Sequence, residues 1–241
     1  MCEQRSELYS PGTTEAATYF ALPGHYAIAA SEHGQRLEVY RCLTCGHGFS
    51  PAALSPAVLR RWYTQAPADA WFVTEEPARR RTARRVLEYL ARLVSPPGQL
   101  LDIGAGAGFF LEEARRGGWQ VAGLEPSEWG QRYAREVLHL ATVRPGGFEA
   151  LAALPTDSLQ VVTAFVGLEH VLDPAALVVA GARVLKPGGI LVLTTPKFDS
   201  LLARLMGRFW YCIFPAHLHS FSTQSLTRLL QQHNFTVERV R

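Results

Sequence analysis

The sequence predicts an α/β protein: a mostly parallel sheet with helices on both faces, preceded by a small irregular module. Three observations predict it. Downstream of residue 76, apolar runs of strand length alternate with segments of helical length, the pattern of successive β-α units. The run "QLLDIGAGAGFF" ends in glycines at 104, 106 and 108, at a point where a strand hands over to a helix. Upstream, Pro11, Gly12, Pro23, Gly24, Gly34, Gly46, Gly48, Pro51, Pro56 and Pro67 interrupt the chain too often for a long element to form. The chain therefore divides into a module over 1–76 and a main domain over 77–241.

Taken in order, "RLEVYRC" alternates like a strand within the module. Pro77 suits the first turn of a helix reaching about Val94, which "SPPG" then stops. Arg79, Arg80, Arg81, Arg84 and Arg85 on that helix are expected to form a solvated face opposite Val86, Leu87 and Leu90. "QLLDI" is strand one and "FFLEEARRG" the helix after the glycines. "QVAGLE" is strand two, and Ser127 caps the helix "SEWGQRYAREVLHL". "ATVR" is a weak third strand. "LQVVTAF" is the fourth, apolar almost throughout and so buried on both faces. "DPAALVVAGARVL" is a helix ended by "KPGG", followed by "ILVLTTP" as strand five. An aromatic stretch "RFWYCIFPAHLHSF", a helix "SLTRLLQQH" and a last strand "FTVERV" complete the chain.

Composition narrows the function. A net charge of +3 over 241 residues is too small to point to a nucleic acid or an anionic membrane. No apolar run is long enough to span a bilayer, and "MCEQRSELYS" lacks the basic flank and apolar stretch of an export signal. The four cysteines, two of them in a C-x-x-C pair, fit a reducing cytoplasm better than a disulfide framework. The expected partner is a small molecule, with neither nucleic acid nor membrane; the oligomeric state is not predicted.

Glycines lack a Cβ, so Gly104, Gly106 and Gly108 let a ligand approach the backbone at the carboxyl end of strand one. The spacing is D-x-G-x-G-x-G. A dinucleotide fingerprint would need a small residue three positions after Gly106, where Phe109 stands. Glu125, at the end of strand two, can accept both hydroxyl hydrogens of a ribose. Together they suggest an adenosine compound other than a dinucleotide.

These residues resemble motif I and the acidic strand-two position of class I S-adenosylmethionine-dependent methyltransferases, whose Rossmann-like sheet the element order matches. "DSLQVVTAFVGLEHVLDP" and "ARVLKPGGILVLTTP" resemble the fourth and fifth strands of that family. "HLHSFSTQSLTRLLQQHNF" is similar to a subgroup containing ubiquinone-type O-methyltransferases and sugar methyltransferases. The resemblance covers about residue 79 to 241. It implies S-adenosyl-L-methionine as cofactor, with Asp102 near its amino group and Gly104, Ala105, Gly106 and Gly108 along its methionine portion. It further implies Glu125 on the ribose, Pro126 and Ser127 beside the adenine, Phe148 at the adenine loop, and Phe165 and Val166 flanking the sulfonium. Relatives finish with a further antiparallel strand. This sequence is thus expected to have a shorter sheet, to fill the gap with its module, or to belong to something longer.

Methyl transfer from a sulfonium needs a positioned acceptor and, for many acceptors, a group that removes its proton. His170 and His217 are the candidates: His170 follows strand four, and His217 matches the histidine of the H-L-x-x-F-S pattern. Either one can instead serve packing, and Trp210, Tyr211 and Phe214 can form an acceptor pocket or an aromatic plug. Glu169 with His170 resembles a Glu-x-x-Glu-His metal cluster of some relatives, but Val166 stands where its first glutamate would be. In "YRCLTCGHGFSP", Cys42 and Cys45 bracket a tight turn that could hold a structural zinc as one half of a ribbon. The other half is absent, so Cys2, His25, His33 or His47 would have to complete the site.

The resulting expectation is an S-adenosylmethionine-dependent methyltransferase acting on a sugar or secondary metabolite. An RNA methyltransferase or a non-catalytic binding protein of the same fold are the alternatives.

Overall fold

The computed structural model describes residues 6–10, 38–50, 61, 64, 73–165, 167–213 and 217–240. Cys2, His25, His33, Val166 and Phe214 lie outside the described residues. Near the N-terminus come β1 (Ser6–Ser10), β2 (Val39–Cys42) and β3 (Gly48–Phe49). Helix α1 spans Glu76–Leu90 with proline in its first turn. Then follow β4 (Gln99–Ile103), α2 (Phe109–Arg116), β5 (Gln120–Glu125), α3 (Glu128–Glu136), β6 (Val143–Pro145), β7 (Leu159–Phe165), α4 (Pro174–Val184) and β8 (Leu185–Thr194). Helix α5 (Leu201–Met206), strand β9 (His219–Ser220) and helix α6 (Thr223–Gln232) close the list of elements.

The main sheet runs β6-β5-β4-β7-β8 and every pair in it is parallel. Side chains alternate across it, so consecutive apolar residues feed two cores. Leu100 and Val161 join Leu111, Ala114 and Leu90 on the face covered by α1 and α2. Leu101 and Val162 join Leu151 and Val184 on the other face. A strand buried on both sides must read as a near-continuous apolar run, and β4 and β7 do.

Local chemistry sets the helix starts. The Ser127 hydroxyl accepts from Gly130 N–H at α3, and the Asp173 carboxylate accepts from Ala175 and Ala176 at α4. At α6 Ser222 and Ser225 cap each other reciprocally.

Three expectations need correcting. The basic run on α1 is not wholly a solvated face. Arg80 turns inward, its side chain only 13% exposed, and binds Glu76, Glu112 and Glu113, while Arg84 binds Glu113. The sequence hid this because Glu112 and Glu113 lie on α2, some thirty residues away. The stretch "FTVERV" forms no strand: Phe235 packs between the second core and a separate apolar cluster near α6, and residues 236–240 have no ladder partner. Alternation favours a strand only where a neighbouring strand can bond to it. Finally, β8 begins earlier than expected, because Leu185 already pairs with Leu159 before the register shifts around "KPGG".

A second sheet, β1-β2-β3-β9, is antiparallel throughout. Its last member comes from the far end of the sequence, so the described part of the N-terminal segment is joined by a ladder to the main domain. No helix among the described residues is long and apolar enough to cross a membrane.

Candidate functional site

Strand order reverses beside β4, whose neighbours β5 and β7 lead the chain away on opposite sides. A crevice opens at the carboxyl ends of such strands. Gly104, Gly106 and Gly108 occupy that position with φ of 73°, 55° and 88°, a left-handed succession that residues with a side chain resist. Gly104 and Ala105 both donate to the Leu124 carbonyl, which ties the turn to the end of β5. Around Gly104 a methyl group would meet nothing within 4 Å, so the backbone there faces open space. Gly108 differs: a Cβ would lie 2.7 Å from a Leu140 methyl and 3.2 Å from Ala134, which places it in the packing of α2 on α3. Ala105 also packs, 3.1 Å from where a Cβ on Gly123 would be.

Glu125 ends β5, buried, with both carboxylate oxygens in use. One accepts Gly106 N–H at 2.6 Å, the other Ser127 N–H at 2.7 Å. Burial pushes its pKa up while these two bonds hold it down. The carboxylate thus links the glycine turn to the start of α3 and retains lone pairs for a further donor. Gly130 allows this closeness, since a Cβ there would lie 2.8 Å from the Gly106 carbonyl oxygen and 2.9 Å from Glu125 Cγ. On β4, Asp102 is buried and receives the Thr163 hydroxyl of β7 at 2.6 Å. Burial raises its pKa to about 7, against the Thr163 bond and with help from nearby Glu125.

Phe165 closes β7 and meets Phe110 edge-on at 4.6 Å between ring centres. Phe148 opens a 3-10 turn after β6 and packs between two apolar clusters. Pro126 is partly exposed between Glu125 and Ser127.

The turn after β7, Leu168–His170, carries the second group. His170 and His217 meet edge to face at 4.7 Å between ring centres. His217 Nδ1 lies 2.8 Å from the Cys212 carbonyl, to which it must donate, so in the neutral ring Nε2 carries the lone pair. Glu169 is fully buried beside them, its Oε1 3.9 Å from His170 Nε2. No well-formed hydrogen bond reaches either of its carboxylate oxygens, although the Thr195 hydroxyl is nearby. Burial pushes its pKa up to about 7. The donor atoms of Glu169, His170 and His217 lie within 4.8 Å of one another, the one such cluster among the described residues.

Elsewhere the aromatic stretch divides. Trp210 is core, packed with Phe198, Ala203 and Ile213, whereas Tyr211 is exposed. Cys212 is partly buried, its thiol pushed up to about 12 by burial. Cys42 and Cys45 are buried in a turn closed by Gly46 N–H to the Cys42 carbonyl and Cys42 N–H to the His47 carbonyl. They join no third metal-binding donor among the described residues.

The structure brings the glycine turn, Asp102 and Glu125, all named from the sequence, close together in space. Sequence reasoning missed Thr163, and it read Glu169 with His170 only as resembling a metal cluster whose first glutamate is replaced by Val166.

Fold and crevice define the class: the architecture is that of the Rossmann-like S-adenosylmethionine-dependent methyltransferases. Solved structures agree. One such enzyme from Archaeoglobus fulgidus superposes with a TM-score of 0.57 at 25% identity, covering 70% of this chain and 75% of that one. Another, from Thermotoga maritima, gives 0.53 at 24% identity over 75% and 81%. Residues 55–240 match the family described as Methyltransferase domain, and the chain belongs to that family. A curated relative, the ubiquinone biosynthesis O-methyltransferase of Xanthomonas oryzae pv. oryzae, is 36% identical over 137 residues. That match spans 54% of this chain and 57% of the relative's length.

Proposed function

We propose that this protein transfers the methyl group of S-adenosylmethionine to a small-molecule acceptor, a sugar or a secondary metabolite. The observation that carries the reading is the glycine turn fastened to Glu125 above a buried Asp102, with open space at Gly104. In this reading Asp102 meets the cofactor's ammonium, Glu125 the ribose hydroxyls, and Pro126, Ser127 and Phe148 the adenine end. Phe165, with Val166, lies beside the sulfonium. The family match and the O-methyltransferase relative support a hydroxyl as the first acceptor type to test.

The bond that forms joins the acceptor atom to the methyl carbon, and the carbon–sulfur bond breaks to leave a neutral thioether. The sulfonium is already a good leaving group, so the chain has only to align the acceptor and take its proton. His217 Nε2 is the acceptor of that proton, because its other nitrogen is committed to Cys212. His170, against its ring, orients the acceptor.

A second reading is favoured by Glu169, whose carboxylate is buried without a well-formed partner beside two imidazoles. Carboxylate and imidazole suit a divalent cation, which would polarise a bound hydroxyl. Cys42 and Cys45 support a structural zinc in the N-terminal module only if a further donor joins them.

Isothermal titration with S-adenosylhomocysteine, with NADH in parallel, tests the main reading. Binding of the former alone is expected, lost in Glu125→Ala. Folded protein that ignores both ligands would overturn it. Adding magnesium or zinc in separate titrations, repeated with Glu169→Gln, separates the base from the metal reading.

A further inference from the structure

The segment that carries His217 into β9 is held from two sides. Leu218 N–H donates to the Glu169 carbonyl at 2.9 Å, and the Leu218 carbonyl accepts Ser50 N–H at 3.1 Å. One peptide neighbour of the site is therefore clamped between the turn bearing Glu169 and the N-terminal module. The two histidines meet different partners, because His219 lies on β9 while His217 precedes it. His217 meets His170, while His219 meets the module, its Nδ1 lying 3.2 Å from His47 Nε2. On its other side His219 Nε2 lies 3.4 Å from the Leu172 carbonyl, two residues past His170.

Proton positions in this chain follow from the carbonyl at its end, which can only accept. In neutral imidazoles His219 donates from Nε2 to Leu172, so its Nδ1 accepts, and His47 must donate from Nε2. His47 Nδ1 is then a bare acceptor, and no hydrogen bond reaches it. Several further contacts fix His47 in place. It packs 4.8 Å from Phe221 and stacks 5.3 Å from His219, and the Ser222 hydroxyl donates to the Cys45 carbonyl at 2.6 Å. Gly48 permits the strands to close, since a Cβ there would lie 2.8 Å from the Phe198 ring.

We infer that the N-terminal module is part of the reaction site's framework, and that His47 is a positioning residue which, through His219 and Leu218, fixes the relative placement of His170 and His217. The inference rests on the methyltransferase reading for its consequence, but not for its geometry. His47 touches neither the glycine turn nor Glu125, so cofactor affinity should not depend on it.

The test compares His47→Phe, which keeps an aromatic ring and removes the donor, with His47→Gln, whose amide can donate to His219 again. Two readouts are taken on the full chain: the nitrogen-proton correlations of the His217 imidazole by NMR, and S-adenosylhomocysteine affinity by calorimetry. In His47→Phe the His217 signals are expected to shift and broaden, and in His47→Gln to return towards wild type. Affinity should stay within about twofold in both. Should His47→Phe fail to fold, His47→Met, which also removes the donor from the same seam, carries the same comparison. Unchanged His217 signals in a folded seam variant would overturn the inference, as would a shift that His47→Gln does not reverse. Wild-type protein that binds no S-adenosylhomocysteine overturns the methyltransferase reading instead, and leaves the NMR comparison standing on its own.

Discussion

Gly104 and Gly108 both hold positive φ, yet a methyl group added to each meets different surroundings. At Gly104 it enters open space, so Gly104→Ala is expected to cost only backbone strain, about 1 kcal/mol, and to intrude on the proposed cofactor position. At Gly108 it strikes Leu140 as well, and Gly108→Ala should cost about 2 to 4 kcal/mol. Denaturant unfolding beside S-adenosylhomocysteine titration separates the two. The first variant should lose binding out of proportion to stability, and equal stability losses would mean that Gly104 is a packing residue too. Asp102 gives a pH dependence. Its buried carboxyl, raised to about 7, must be ionised to meet an ammonium. Affinity should therefore fall as pH drops through 7, by about tenfold between pH 8 and 6, and Asp102→Asn should be weak and flat with pH. Calorimetry at the two pH values decides it, and a wild-type affinity constant over that range would remove Asp102 from the ammonium site.

Helices α1 and α2 meet through Arg80, which reaches Glu76, Glu112 and Glu113 while its guanidinium lies 5.1 Å from the Phe109 ring centre. Removing it leaves carboxylates short of partners at a largely buried contact, so Arg80→Ala should destabilise by about 2 kcal/mol. Arg85→Ala, on the exposed side of the same helix, should change stability by under about 0.5 kcal/mol. Urea midpoints measure both, and a negligible loss in Arg80→Ala would show the network to be surface decoration. The same helix pair shows what the sequence can reveal. β4, β5 and β7 were readable because a strand buried on both faces is an apolar run, and the glycine turn because only glycine tolerates three left-handed residues in alternate positions. Arg80 was misread because two of its partners, Glu112 and Glu113, belong to another element. β3 and β9 were not visible: each is two residues long, and the pairing of His47 with His219 bridges 172 positions. "FTVERV" alternates and still forms no strand, since alternation describes one side of a ladder only.

At the scale of the molecule, two sheets frame the proposed site: the parallel sheet carries the glycine turn, and the antiparallel sheet holds the strand beside His217. Their seam contains the buried His47 and His219, both held neutral. Burial lowers His47 to about 3, with His219 adding to the effect, and burial likewise lowers His219 against its bond to Leu172 and the charge of Asp173. An imidazole with a lowered folded pKa contributes its full stability above the ordinary value near 6.5. That contribution is lost as pH falls towards 3, because the unfolded chain takes up a proton that the seam refuses. Asp102 and Glu169 act in the opposite sense: raised to about 7, they hold protons that the unfolded chain sheds, so their contribution grows as pH falls through 7. The total is a difference of opposed terms, and a single stability curve would not isolate the seam. Comparing wild type with His47→Phe does, since the carboxylates are common to both. The stability gap between them should move in favour of the variant by about 2 kcal/mol between pH 7.5 and pH 5, measured by urea unfolding at each pH. A gap that stays constant would mean that the folded seam accepts the proton on His47, and that acid does not loosen the hold of the module on the strand beside the site.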